Sequence, residues 1–237
     1  MNALEIISLP TGRVTASDLF RTGAHSFHEG RARYVAYLAE HIARVTRGPV
    51  LDVGCGVGQL LSALADLEVN ATGFDLSSEA VDTARLDRRT TVLQHDANMD
   101  WPFTDESYDA VTMFDVIEHF SAYGKAIREA YRVLKPDGHL FIVTVNRSSI
   151  LHWILGTKWG ALRDPEHVFY FDRRSVRQAL VERGFELRET HTFFNLGIAG
   201  ESAEFLRPFR RPGVIIFFPL AGDSIYALAQ KRPRRTE

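Results

Sequence analysis

Asp52 stands inside the apolar run Val50-Leu51-Asp52-Val53. Gly54, Gly56 and Gly58 follow at once, separated only by Cys55 and Val57. Glycines at that spacing remove three β-carbons where a strand must turn and where a ligand can come close to the backbone. Residues 59–67 then carry apolar side chains at 60, 61, 64 and 67, a helical spacing. A strand, a glycine-rich turn and a helix in that order make a site for a nucleotide or a nucleotide-like ligand. Two further stretches reach a carboxylate at their ends, Ala71-Thr72-Gly73-Phe74-Asp75 and Thr90-Thr91-Val92-Leu93-Gln94-His95-Asp96. An acid at a strand end is also a common loop or cap residue, so either one alone decides nothing. Cys55, the one cysteine, reads as a small filler of the turn rather than a nucleophile.

The elements that must hold these residues alternate along the chain. Tyr34, Val35, Leu38, Ala39, Ile42 and Val45 form one stripe of a helix that begins near Glu29 and ends at Gly48-Pro49. Strands are expected at 50–53, 71–76, 90–96, 108–115, 139–145, 186–194 and 224–229. Between them the pattern predicts helices after the glycine turn, from Ser77-Ser78 to about Leu86, over 125–134, and from Asp172 or Ser175 to Gly184. Strands alternating with helices specify an α/β fold: a doubly wound, mostly parallel sheet with right-handed crossovers. The chain reads as a single domain, 1–237, with an irregular N-terminal segment or lid at 1–28. Two substrate-side insertions are expected, at 147–171 and 195–222.

Composition narrows the class. The chain has 237 residues, 45% hydrophobic and 24% charged, enough to bury a core without disulfides or metals. One cysteine cannot form an internal bridge, and no signal peptide or 18-residue apolar run is present, so a cytoplasmic protein is expected. A net charge of −2 gives no global field toward nucleic acid, and no basic face is interleaved with aromatics. The cluster Arg207, Arg210 and Arg211 beside Val214-Ile215-Ile216-Phe217-Phe218 reads as a lid, a dimer contact or, less often, a peripheral membrane patch. The tail from Lys231 to Arg235 reads as a solvated end.

Two cofactors compete for the glycine turn. A nicotinamide site wants Gly-x-Gly-x-x-Gly, and Gln59 stands where that pattern needs its third glycine. Asp52 would repel a diphosphate over the same turn, whereas it suits a cationic cofactor without phosphate, such as S-adenosylmethionine. Here the run Leu-Asp-Val-Gly-Cys-Gly-Val-Gly resembles the first motif of the class I S-adenosylmethionine-dependent methyltransferases. Gly73-Phe74-Asp75-Leu76-Ser77 resembles their second motif and Asp96-Ala97 their third. Asp115-Val116-Ile117-Glu118-His119-Phe120 is similar to the stretch after the fourth strand in ubiquinone-biosynthesis-type and related small-molecule methyltransferases. Tyr131 to Gly138 is similar to the lead into their fifth strand. The resemblance implies a Rossmann-like, seven-stranded sheet with an antiparallel last strand and helices on both faces.

It also implies contacts. Gly54, Cys55, Gly56 and Gly58 would lie against the methionine part, with Asp52 drawn to its ammonium or to a water. Asp75 would take the ribose hydroxyls, and the backbone at Leu76 would stack on adenine. Asp96 and the Ala97 amide would meet the adenine edge. Phe114 and Asp115 would border the methionine end, and Arg31 would pair the cofactor carboxylate. The product would be S-adenosylhomocysteine.

Methyl transfer needs a nucleophile held in line with the methyl, and a base only where the acceptor must lose a proton. The acceptor belongs beyond the carboxyl ends of the strands, where His119 follows the fourth. His119 reads as the base or as a cap of the following helix, with Glu118 its orienting partner or a ligand for a metal ion; no metal site is assigned. Asp164-Pro165-Glu166-His167-Val168-Phe169-Tyr170-Phe171 resembles an Asp-x-x-His-x-x-x-Phe pattern of similar enzymes, making His167 a second base, a substrate donor or a loop anchor. Trp153, Trp159, Phe169 and Tyr170 would line an aromatic pocket or pack beneath the insertion. The expected activity is methylation of a small molecule, most directly on a hydroxyl oxygen, by a monomer or homodimer. N- or C-methylation, a non-catalytic cofactor-binding module and a nicotinamide-dependent oxidoreductase are the alternatives.

Overall fold

Alternation of side chains along each strand, one to each face, decides how this chain packs. A computed structural model describes residues 5–8, 25–46, 48–156, 164–195, 214–217 and 221–232. Its strands are β1 (Glu5–Ser8), β2 (Val50–Val53), β3 (Ala71–Asp75), β4 (Thr91–Gln94), β5 (Tyr108–Phe114), β6 (Leu134–Val145), β7 (Phe185–Asn195), β8 (Val214–Phe217) and β9 (Ser224–Lys231). Its helices are α1 (His25–Val45), α2 (Gln59–Asp66), α3 (Ser78–Ala84), α4 (Tyr123–Val133), α5 (Ile150–Leu155) and α6 (Arg173–Val181), with a 3-10 turn at Ile117–His119.

The strands form one sheet in the order β1-β8-β7-β9-β6-β5-β2-β3-β4. From β6 to β4 every pairing is parallel, while β9 lies antiparallel between β6 and β7. The seven strands from β7 to β4 are the expected doubly wound sheet, with the last strand reversed. Beyond β7 the sheet is extended by β8 and then β1, both paired antiparallel. Two expectations are corrected there. Residues 1–28 are not irregular throughout, because Glu5–Ser8 is a strand and α1 begins at His25. Val214–Phe217 is not part of an irregular insertion, because it is a strand paired with β1 and β7.

Odd and even positions feed two cores. Leu51, Val53, Val111, Met113, Leu140 and Ile142 face α4 and α6. Val50, Ala110, Phe141 and Val143 face α1 and α2, where Tyr34, Leu38, Ala39 and Ile42 complete the stripe. Phe74, Phe141, Leu61 and Leu64 are fully buried, each contributing about 1.5–3 kcal/mol of apolar burial. Caps end the helices as the residue types require: Ser77 Oγ accepts the Ala80 amide, and Asp172 and Ser175 form a capping box at α6.

The tail is corrected at its first residue, while Arg232 is exposed and Pro233 to Arg235 lie outside the described residues. Lys231 ends β9 with its Nζ buried, donating to the Leu134 carbonyl at 2.6 Å and lying 4.8 Å over the Tyr131 ring. It is a structural cation, not a solvated end. Among the described residues, no helix is long and apolar enough to cross a membrane.

Candidate active site

Because β2 to β6 are parallel, their carboxyl ends share one edge, and the chain reverses its direction of winding between β2 and β5. The glycine turn leaves β2 at that switch point, where ligands of open sheets bind. Gly54 and Gly56 have φ of +68° and +51°, a left-handed backbone that glycine adopts without penalty. A β-carbon on Gly54 would collide with Val116 Cγ2, so this glycine is required by packing. A β-carbon on Gly56 would meet nothing within 4 Å. It would fill open space above the turn, which is where a ligand would lie.

Asp75 is built into the same turn. Its Oδ2 accepts the Gly56 amide at 2.8 Å and its Oδ1 the Ser77 amide at 2.9 Å. Each oxygen keeps a second lone pair for an outside hydroxyl. Leu76, beside it, is 66% exposed, an apolar surface at the lip of the cleft. Asp96 lies past the end of β4, where its Oδ1 accepts both the amide and the side-chain nitrogen of Asn98. Ala97 is buried, its carbonyl accepting Trp101 Nε1.

Asp52 is buried at 4% exposure, and Thr112 Oγ1 donates to its Oδ1 at 2.6 Å. Burial pushes its carboxyl up to about 7, against the hydroxyl's opposing effect and with the Asp75 charge adding to the rise. Burial, followed by the charges of Asp52 and Asp75, also raises the Cys55 thiol strongly, so it carries no thiolate. Arg31 lies in α1, and its side chain falls outside the described residues.

Past β5 the edge changes character. Phe114 ends the strand half-buried, and Asp115 is exposed with φ +52° and its amide on the Val143 carbonyl. Glu118 is 1% exposed, and Thr144 Oγ1 donates to its Oε2 at 2.9 Å. Burial first, then the Asp115 charge, push its carboxyl well above the carboxylate range. His119 Nδ1 lies 3.1 Å from the Glu166 carbonyl, and a carbonyl can only accept. Nδ1 therefore carries the proton, and in the neutral ring Nε2 keeps its lone pair. Thr144 holds the Glu118 carboxylate, and what turns the His119 ring is the main chain of residue 166; the orienting partner read from sequence is corrected.

The first insertion delivers the second histidine. Val168 and Phe169 amides both bind the Glu118 carbonyl, at 2.9 and 3.0 Å. The His167 ring then stands 4.8 Å from His119, centroid to centroid, with its Nε2 3.7 Å from Asp164 Oδ2. The aromatic pocket is corrected in part. Trp153 is 86% exposed, and Phe169 packs on Tyr123 at 4.6 Å as core. Tyr170 alone of the described three stays near the histidines, 6.0 Å from His167, while Trp159 and Arg207, Arg210 and Arg211 lie outside the described residues. Thr112, Thr144 and the Glu166 carbonyl were missed. Each threonine interrupts an apolar run, a legible signal; a carbonyl leaves none.

A parallel sheet with a glycine turn at its switch point, an acid closing the next strand and another just past the one after it is the frame of a Rossmann-like methyltransferase. A family model described as a methyltransferase domain matches residues 25–190, and the chain belongs to that family. It is 35% identical over 135 residues to a ubiquinone biosynthesis O-methyltransferase of Actinobacillus pleuropneumoniae, covering 52% of this chain and 58% of that protein. The chain thus spans little more than half the length of the curated relatives it matches. Solved structures share the fold. A SAM-dependent methyltransferase from Thermotoga maritima aligns with TM-score 0.66 at 21% identity, over 88% of this chain and 93% of that one. The [4+2]-cyclase SpnF aligns with TM-score 0.58 at 21% identity, over 84% and 81%. The family's cofactor is S-adenosylmethionine. The open space above Gly56, the two spare lone pairs of Asp75 and the exposed Leu76 fit it.

Proposed function

We propose that this protein transfers a methyl group from S-adenosylmethionine to a hydroxyl oxygen of a small molecule. The observation that carries this reading is the histidine pair at the carboxyl edge. His119 has its protonated nitrogen turned to a carbonyl and a lone pair left for an acceptor proton, with His167 beside it. The likeness to O-methyltransferases of ubiquinone biosynthesis supports oxygen over nitrogen or carbon as acceptor.

Asp75 takes the ribose hydroxyls, with its carboxylate aimed by the Gly56 and Ser77 amides. Asp52 would meet the ammonium end, Asp96 and Ala97 would meet the adenine edge, and Phe114 and Asp115 would flank the methionine part. When bound, the cofactor supplies an electrophilic methyl on a sulfonium. His119 or His167 would take the proton of an acceptor hydroxyl, the first through its unprotonated Nε2. Ionised, Asp52 would disfavour a diphosphate over the same turn, and Gln59 replaces the third glycine of a nicotinamide site; both weigh against that cofactor.

Calorimetric titration with S-adenosylhomocysteine, and separately with NAD, tests the cofactor. Micromolar or tighter binding of the first with none of the second is expected; the reverse would overturn the reading of Asp52 and the glycine turn. Turnover on hydroxylated acceptors, followed as S-adenosylhomocysteine release, tests the reaction. Transfer to amines alone would replace oxygen as the target.

A further inference from the structure

We propose that Asn98 is a positioning residue, which fixes the turn carrying His119 relative to the adenine end of the cofactor. The assignment rests on the reading of Asp96 as the adenine contact and of His119 as a base. Asn98 stands half-buried in the turn after β4, and its side chain is bonded at both ends. Its Oδ1 accepts the Ala122 amide at 2.9 Å and the Ser121 hydroxyl at 3.2 Å. A main-chain N–H can only donate, so the oxygen must face it and the amide nitrogen must point the other way. There Nδ2 donates to Asp96 Oδ1 at 2.9 Å, and the Asn98 main-chain amide donates to the same oxygen at 2.8 Å. With Oδ1 holding two donors, Asp96 keeps Oδ2 for an adenine amine.

Ser121 and Ala122 close the turn that begins at Val116 and holds Glu118 and His119. In a capping box the Ala122 amide would be accepted by the side chain of residue 125, but Lys125 has no acceptor. Asn98 takes that place from 24 residues earlier. The next residue, Tyr123, packs on Phe169 at 4.6 Å and on Phe171 at 5.2 Å, in the insertion that carries His167. At the other end of the turn, Val116 packs on Gly54. The turn is thus tied at both ends to the cofactor side, by apolar contact at its start and by Asn98 at its close. In-line transfer tolerates little error: a misplacement of about 1 Å can lower the rate by about 10²-fold.

Two substitutions separate the ends of this tie. Asn98→Ala removes both. Asn98→Asp keeps an oxygen for Ser121 and Ala122, but it loses the donor to Asp96 and sets a second carboxylate against it.

The test uses the full chain, with S-adenosylhomocysteine as the probe and the folding of each variant checked by circular dichroism. Calorimetry gives probe affinity, and amide hydrogen exchange over residues 116–122 is followed with and without the probe. Turnover at saturating S-adenosylmethionine on a hydroxylated acceptor gives kcat. Asn98→Asp should weaken the probe by about tenfold or more while kcat holds. Asn98→Ala should weaken it similarly and lower kcat by about 10–100-fold. The probe should slow exchange over 116–122 in the unaltered protein and in neither its rate nor its extent in Asn98→Ala. Unchanged kcat in folded Asn98→Ala, or exchange that the probe slows there as before, would overturn the assignment. Equal loss of kcat in both variants would overturn it too, since the retained oxygen must rescue the turn. Those outcomes, with the probe bound by the unaltered protein, sink the assignment alone. No binding of the probe by the unaltered protein would sink the cofactor reading and the assignment with it.

Discussion

The two halves of the sheet's carboxyl edge are built by different means. On the β2–β3–β4 side, the groups that face the cleft stand in the strand-end turns of adjacent parallel strands: Gly56 follows β2 and Asp75 ends β3, and the bond between them closes the turn. On the β5–β6 side, the same task falls to contacts between remote segments. His119 is aimed by residue 166, and Glu118 is held by β6. The first half is a rigid local motif that suits an invariant cofactor. The second couples His119 and Glu118 to an insertion whose residues can differ while the first half stays as it is.

The largest effect is expected on the second half. His119→Ala should lower kcat by about 10²–10⁴-fold, the range for a lost proton acceptor, and leave S-adenosylhomocysteine affinity unchanged. Turnover and titration of the same preparation check this, and unchanged kcat would remove His119 from the chemistry. Within the first half, Gly54→Ala and Gly56→Ala should separate. The former forces a β-carbon into Val116 and should destabilise the fold by about 2–4 kcal/mol in urea unfolding. The latter should cost only about 1–2 kcal/mol of stability yet weaken cofactor binding, since its methyl enters open space. Equal losses of stability would erase the distinction between a packing glycine and a ligand-facing one.

Asp75→Ala should weaken S-adenosylhomocysteine by about 1.5–3 kcal/mol in a calorimetric titration. Unchanged affinity would undo the ribose assignment. The smallest effect is a proton. With its carboxyl pushed up to about 7, Asp52 is protonated at pH 6 in the free protein, and a bound ammonium favours the carboxylate. Binding should therefore release up to about one proton at pH 6 and almost none at pH 8.5, read from the dependence of binding enthalpy on buffer. Stability carries the opposite sign. The unfolded group, with pKa near 3.9, binds fewer protons between pH 4 and 7, so the Asp52 contribution falls across that window and is level above it. Asp52→Asn should abolish both trends.

Legibility in the sequence follows the same division. The glycine turn, Asp75 and the seven core strands were readable because a few adjacent residues determine each of them. Three features were not: the β1–β8 pairing, which joins distant parts of the chain; the burial of Lys231, whose partners are a carbonyl in β6 and a ring in α4; and the partner of His119. A run of basic residues looks the same whether its first member is solvated or sealed under a tyrosine. The acid type of Glu118 suggested a partner for the adjacent imidazole, whereas the geometry gives its carboxylate to Thr144.

The hydrogen bond from His119 to residue 166 has a bearing on how this protein can change over evolutionary time. A side-chain acceptor at that position would be exposed to substitution, and one replacement could scramble the tautomer. The main chain offers the same carbonyl whatever residue stands at 166. The loop's outward side chains are thus free to drift toward new acceptors while the orientation of the histidine is inherited unchanged.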